Sequence, residues 1–109
     1  MICIEIEDRV KFKVRGSFNS ADGTSKPFDF DLTARRLDVD AYKDAVSDTD
    51  TTMADFLAGV VQDWSGVRDG DGAPVPYSTD ALRKLCKVPG LASLMFRTYG
   101  LEAGAKEKN

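Results

Sequence analysis

The sequence predicts an α+β domain: an N-terminal antiparallel β-hairpin or small sheet followed by three to four short helices. Apolar and charged residues alternate with a period of two as far as Leu32, a cluster of turn formers splits that alternation, and helical spacing takes over past Arg36. Strands first and helices afterwards is the order of a fold whose helices pack on one face or end of an antiparallel sheet.

Ile2, Ile4 and Ile6 alternate with Cys3, Glu5 and Glu7, which makes a first strand candidate. Val10, Phe12 and Val14 alternate with Lys11, Lys13 and Arg15, the pattern of a strand with one face in water. The stretch Asn19 to Lys26 is dense in turn formers around Asp22-Gly23 and reads as a long hairpin tip. Beyond it Phe28, Phe30 and Leu32 alternate with Asp29, Asp31 and Thr33. Antiparallel pairing sets the cations of one strand opposite or diagonal to Asp29 and Asp31, where each pair adds about a few tenths of a kcal/mol and helps fix register. Pro27 falls at the strand's start, where a missing N–H is tolerated.

Asp38 to Val46 suits a helix of about two turns, with Leu37, Tyr42 and Val46 as apolar contacts. Thr52 followed by Asp55 resembles a capping box, and Asp48 and Asp50 place negative charge near the positive helix end. The helix so announced carries Met53, Phe56, Leu57, Val60, Val61 and Trp64, which at helical spacing fall within an arc of roughly 140°. Glycines and prolines between Ser65 and Tyr77 exclude regular helix and favour a loop, ordered or mobile. Ser78 caps a helix over Thr79 to Cys86 with Leu82, Leu85 and Cys86 inward and Arg83, Lys84 and Lys87 toward its negative end. A last helix runs from about Pro89 to Tyr99 with Gly100 as its C-cap, and its apolar arc of roughly 220° is about twice what one core face needs. Residues 1–102 form a single domain on this reading, and 103–109, without an apolar anchor, form a flexible tail.

At 109 residues, with 42% hydrophobic and 30% charged positions, the composition is that of one globular domain. Apolar runs are short, so no membrane partner is expected, and Met1 to Glu5 lacks the basic region and apolar stretch of a signal peptide, which points to the cytoplasm. Cys3 and Cys86 read as buried small hydrophobes in a reducing compartment, a disulfide being the lesser alternative. A formal net charge of −3 argues against a nucleic-acid partner, since phosphate binding needs clustered cations.

The chain contains no histidine, which removes the commonest general base and metal ligand together with every Ser-His or Cys-His nucleophile. Gly70-x-Gly72 runs into Ala73-Pro74 and so is no phosphate loop. Asp69-Gly70-Asp71 with Asp80 at the twelfth position imitates a calcium loop, but Ala73 and Pro74 occupy the places of an oxygen ligand and a glycine. The pairs Asp29/Asp31 and Asp69/Asp71 read as solvated carboxylates of ordinary acidity. The expectation is a non-enzyme with no cofactor and no metal.

Surplus apolar surface remains, and with it an expected partner surface made of Trp64, Val67, Val75, Tyr77, Leu91, Leu94, Met95, Phe96 and Tyr99. Tyr and Trp beside flexible loops supply contact area at small entropy cost. The competing reading makes Trp64 a core cap and the last helix the centre of the core.

Taken as one block, Phe56 to Val67, Asp69 to Ser78, Ala81 to Cys86 and Pro89-Gly90-Leu91 resemble the tail assembly chaperones of long-tailed bacteriophages and prophages. Those proteins show a helix ending in a Trp-Gly-Val-type turn, an Asp-Gly-x-Pro loop and a second short helix opened by Ser or Thr. The resemblance implies a non-virion factor of the host cytoplasm that binds the tape measure protein and helps tail tube protein polymerise around it. Many such chaperones have a frameshifted long form, and Glu107-Lys108-Asn109 is compatible with the slippery heptamer A-AAA-AAC. A minor structural tail component, such as a connector or terminator, and a small regulatory binding domain are the alternatives. Oligomeric state stays open, self-association included.

Overall fold

A computed structural model describes residues 7–48 and 52–104. Two strands, β1 (Arg9–Asn19) and β2 (Ser25–Arg35), pair antiparallel along their whole length. The chain continues through α1 (Val39–Ser47), α2 (Met53–Val60), β3 (Val61–Ser65), α3 (Thr79–Cys86) and α4 (Leu91–Glu102). Strand order in the sheet is β1-β2-β3, and with the four helices this makes an α+β fold. The candidate strand at Ile2, Ile4 and Ile6, the cysteine at position 3 and the acid at position 50 lie outside the described residues.

The hairpin follows its charge and apolar pattern. Phe12 faces Leu32 and Val14 faces Phe30 on the inner side, while Lys13 faces Asp31 and Arg15 faces Asp29 on the outer side. At the tip the Asp22 carboxylate accepts from the Thr24 N–H at 2.9 Å and from the hydroxyls of Ser20 and Thr24. Those donors, the Ser20 hydroxyl foremost, hold its pKa down at about 2. Gly23 supplies the positive φ of 84° that closes the turn.

The helix expected from Met53 to Trp64 is instead α2 followed directly by β3. Gly59 and the β-branched pair Val60-Val61 are weak helix formers, and β2 offers a partner edge to which the chain can pair. Leu32 faces Trp64 and Thr33 faces Asp63, but Ala34 faces Val61, so Gln62 is an extra residue in a β-bulge. In a regular strand, residues three apart point to opposite faces. The bulge turns Val61 and Trp64 to the same side, and both are buried. A bulged strand thus produces the i, i+3 spacing that helix also produces.

Caps at the other helices fall where side-chain chemistry places them. Asp38 accepts from the Ala41 N–H at 2.7 Å, Thr52 from that of Asp55 at 3.1 Å, and Ser78 from that of Ala81 at 3.0 Å. On α1 the inward residues are Tyr42 and Ala45. Val46, expected inward, is half exposed, because it sits about 100° around the helix from Ala45. Gly100 is no C-cap: α4 continues to Glu102, and the glycine makes room for Tyr42, whose hydroxyl would lie 3.0 Å from a Cβ there. Ala103, assigned by the sequence to the tail, is held by the Tyr99 carbonyl and by the Arg36 guanidinium. The rest of the expected tail, from 105 onward, lies outside the described residues.

One core joins the inner sheet face, α2, α3 and α4, with Val14, Leu32, Leu57, Leu82 and Met95 all sealed from solvent. Tyr99 locks the end of β2 into it. Its hydroxyl donates to the Arg35 carbonyl at 2.8 Å and accepts from the Leu37 N–H at 3.1 Å. No helix among the described residues is long and apolar enough to cross a membrane.

Candidate functional site

Among the described residues β3 pairs only with the Asp31–Ala34 stretch of β2, so the tip half of the hairpin runs on past the third strand. Its inner face there carries Gly16, Phe18 and Phe28, continuing the alternation of Phe12 and Val14. Opposite stands the turn from α3 into α4, Val88-Pro89-Gly90, where Gly90 with φ 83° redirects the chain. Between them opens an apolar groove of about 510 Å³ with Phe18, Phe28, Val67, Leu85, Val88 and Leu94 among its walls. Phe18, Phe28 and Phe30 form a stacked series with centroid spacings of 6.2 Å, running from the exposed tip into the core. Phe18 is 55% exposed and Val88 49%, large apolar side chains that the fold leaves in water. Gly16 is the hinge of this arrangement, since a Cβ there would meet Phe28 Cζ at 2.6 Å and Leu94 Cδ2 at 2.9 Å.

The residues expected to form a partner surface divide into three groups. Val67, Leu91 and Leu94 line the groove, although Leu91 is buried at its floor. Trp64, Val75 and Tyr77 satisfy one another instead of awaiting a partner. The Trp64 indole donates to the Val75 carbonyl at 2.8 Å and packs edge-on against Tyr77, and the Tyr77 hydroxyl donates to the Val61 carbonyl at 3.0 Å. Trp64 is buried, and with its neighbours it staples the Ser65 to Tyr77 loop onto β3. Met95 and Tyr99 are sealed in the core, and half-buried Phe96 joins an aromatic cluster with Tyr42 and Phe56. The wide apolar arc of α4 is therefore used by several neighbours: the sheet on one side, α1 and α2 on another, α3 on a third. Burial excludes Trp64, Met95 and Tyr99 from an open partner surface.

Sequence reasoning missed Phe18, Phe28 and Val88 as site residues. The signal for Phe18 was present, because its alternation with Gly16 and Val14 puts a large aromatic on the inner face beyond the charged stretch. Where Val88 would lie depended on the α3–α4 turn, which is a matter of tertiary geometry.

The loop after β3 is ordered by its own chemistry. Asp69 accepts from the N–H groups of Asp71 at 2.9 Å and Ala73 at 3.0 Å, and the Val75 N–H bonds the Val67 carbonyl at 2.9 Å. The Asp69 carboxylate thus serves as a turn cap. Among the described residues no group of three or more His, Cys, Asp or Glu is placed to hold a metal ion, and no charged side chain is buried. Cys86 is half-buried, and burial pushes its thiol pKa up, which makes it a poor nucleophile.

A family model described as YdaY prophage protein matches residues 25–99, more than half of the chain. The chain belongs to the YdaY prophage protein family. It is thus a bacteriophage or prophage protein, in keeping with the phage resemblance of the sequence. The YdaY match takes in Phe28, Val88 and Leu94 of the groove and leaves Phe18 ahead of it. No curated protein and no solved structure matches the chain.

Proposed function

We propose that this YdaY family member is a tail assembly chaperone, a non-catalytic factor that binds the tape measure protein in the host cytoplasm and assists polymerisation of the tail tube. The observation that supports this reading is the groove between the hairpin tip and the α3–α4 turn, where Phe18 and Val88 stand in water beside Phe28 and Leu94. Burying one such side chain against a partner contributes about 1.5–3 kcal/mol, so the groove can hold an apolar segment without reshaping the core. A long helical tape measure needs its apolar surface covered until the tube encloses it, and helix-in-groove binding does that.

The test is co-expression with the tape measure protein of the same prophage, together with mass spectrometry of assembled particles. A chaperone raises the solubility of that protein, co-purifies with it and is missing from particles. A tape measure protein that stays insoluble and uncomplexed, or a chain found in stoichiometric amount in particles, overturns the reading. The second of those outcomes favours a connector or terminator role.

A further inference from the structure

The shape and charge of the groove specify its occupant, and we propose that it receives an amphipathic α-helix whose apolar stripe is flanked by acidic side chains. This rests on the groove being the partner site of the proposed chaperone.

Two features oppose an added strand. Beyond β3 the β2 edge carries Lys26 and Pro27; the proline has no N–H to give, and a charged edge residue discourages pairing. The walls of the groove are instead side chains from the hairpin, the loop after β3 and the α3–α4 turn, which read a partner through its own side chains.

Charge then narrows the class. The chain as a whole is acidic, with 18 Asp and Glu against 15 Lys and Arg, yet the groove's charged residues are Arg68, Arg97 and Asp29. Asp29 sits on the outer face of β2 opposite Arg15, so strand alternation turns its carboxylate away. Arg68 and Arg97 remain, one from the loop after β3 and one a turn beyond Leu94 on α4. Arg68 is held in place by a bond from its Nη1 to the Gly72 carbonyl at 3.0 Å. An apolar floor with cations at its margin is complementary to a helix bearing leucine-like residues along one stripe and Asp or Glu beside it.

The test uses the full chain and two labelled helical peptides of about 20 residues, long enough to hold helix. Both carry the same leucine stripe; one is flanked by Glu and the other by Lys. Fluorescence anisotropy is expected to show the Glu-flanked peptide binding at least about tenfold more tightly, with affinity falling by a similar factor in Arg68→Glu/Arg97→Glu and on added salt. Phe18→Ser and Val88→Ser, both at exposed positions, are expected to weaken binding while circular dichroism stays unchanged. Equal affinity for the two peptides, or an unchanged affinity in the double arginine variant and in Phe18→Ser, would falsify the proposal. So would self-association of the chain that disappears in Phe18→Ser when neither peptide binds, since a second copy would then fill the groove. A chain that takes the Glu-flanked peptide but leaves the tape measure protein insoluble keeps this inference and loses the chaperone reading. One that solubilises the tape measure protein with Phe18→Ser and Arg68→Glu/Arg97→Glu in place does the reverse.

Discussion

The Phe28 ring lies directly over Gly16, its partner across the hairpin, so closely that a β-carbon on Gly16 would stand 2.6 Å from the ring's Cζ. Leu94 closes the same gap from α4. Position 16 thus sets how far the α4 wall of the groove stands from the hairpin.

Gly16→Ala is expected to force Phe28 or Leu94 outward. Overpacking costs about 1–3 kcal/mol, and the entropy lost by replacing glycine offsets about 0.5–1 of it, leaving a net destabilisation of about 1 kcal/mol. Urea denaturation reads this as a lower midpoint at unchanged slope. A midpoint equal to or above that of the parent would show that the Phe28 ring has another resting place.

Tyr99→Phe keeps the ring but strips the part-buried Arg35 carbonyl of a donor and the Leu37 N–H of an acceptor. The expected loss is about 2–3 kcal/mol, measured by chemical denaturation. Burial first, and the Tyr42 phenol further down, push the Tyr99 ionisation up, against the opposing Leu37 bond. With the folded pKa above the unfolded one, this stability is whole below the phenol's usual value of about 10 and is lost as pH rises through the raised value. The alkaline decline of stability should therefore be shallower in Tyr99→Phe than in the parent.

At acid pH the sign is opposite. Asp55 is held below the usual carboxylate range by the Arg83 guanidinium, at 2.7 Å, and next by the Thr52 hydroxyl, while Asp22 sits at about 2. Their contribution is whole above the ordinary carboxylate value of about 3.9 and fades as pH falls toward the depressed values. Both sites are in open solvent, so the effect is modest and weaker in salt. Asp22→Asn and Asp55→Asn should each flatten the drop in thermal midpoint between pH of about 4 and 2; a drop as steep as the parent's argues that other acids govern it.

Trp64 is the chain's single tryptophan, and it is buried with its indole tied to Val75. Trp64→Phe is expected to cost about 2 kcal/mol or more, from lost burial and an unpaired carbonyl, and to loosen the Asp69 to Gly72 turn. Limited proteolysis locates that loosening: cleavage should move to the loop in the variant while the parent resists.

What the sequence disclosed follows from which interactions are local. The hairpin register was legible because Lys13, Arg15, Asp29 and Asp31 mark one face and Phe12, Val14, Phe30 and Leu32 the other. The caps at Asp38, Thr52 and Ser78 were legible because a cap is made within three residues. The β3 strand was hidden, since its pairing partner lies some thirty positions earlier and its bulge copies a helical interval. Of the residues expected at a partner surface, Leu94 and Val67 line the groove, whereas Trp64, Met95 and Tyr99 serve the core. Composition told that apolar side chains exceed one helix face; only the packing of α4 against three neighbours told where the surplus lies.

The extra residue in β3 is a spacer that one codon can supply or withhold without turning the strand over. Losing Gln62 would leave a plain alternating strand in which Val61 still opposes Ala34 and Trp64 still opposes Leu32, so both side chains stay on the inner face. A variant with that codon removed would differ from the parent by no charge and one polar residue, and the facing that fastens the loop along one side of the cleft would survive the loss. At this position natural sequence drift is free to change length, provided the apolar residues on either side of the spacer are kept.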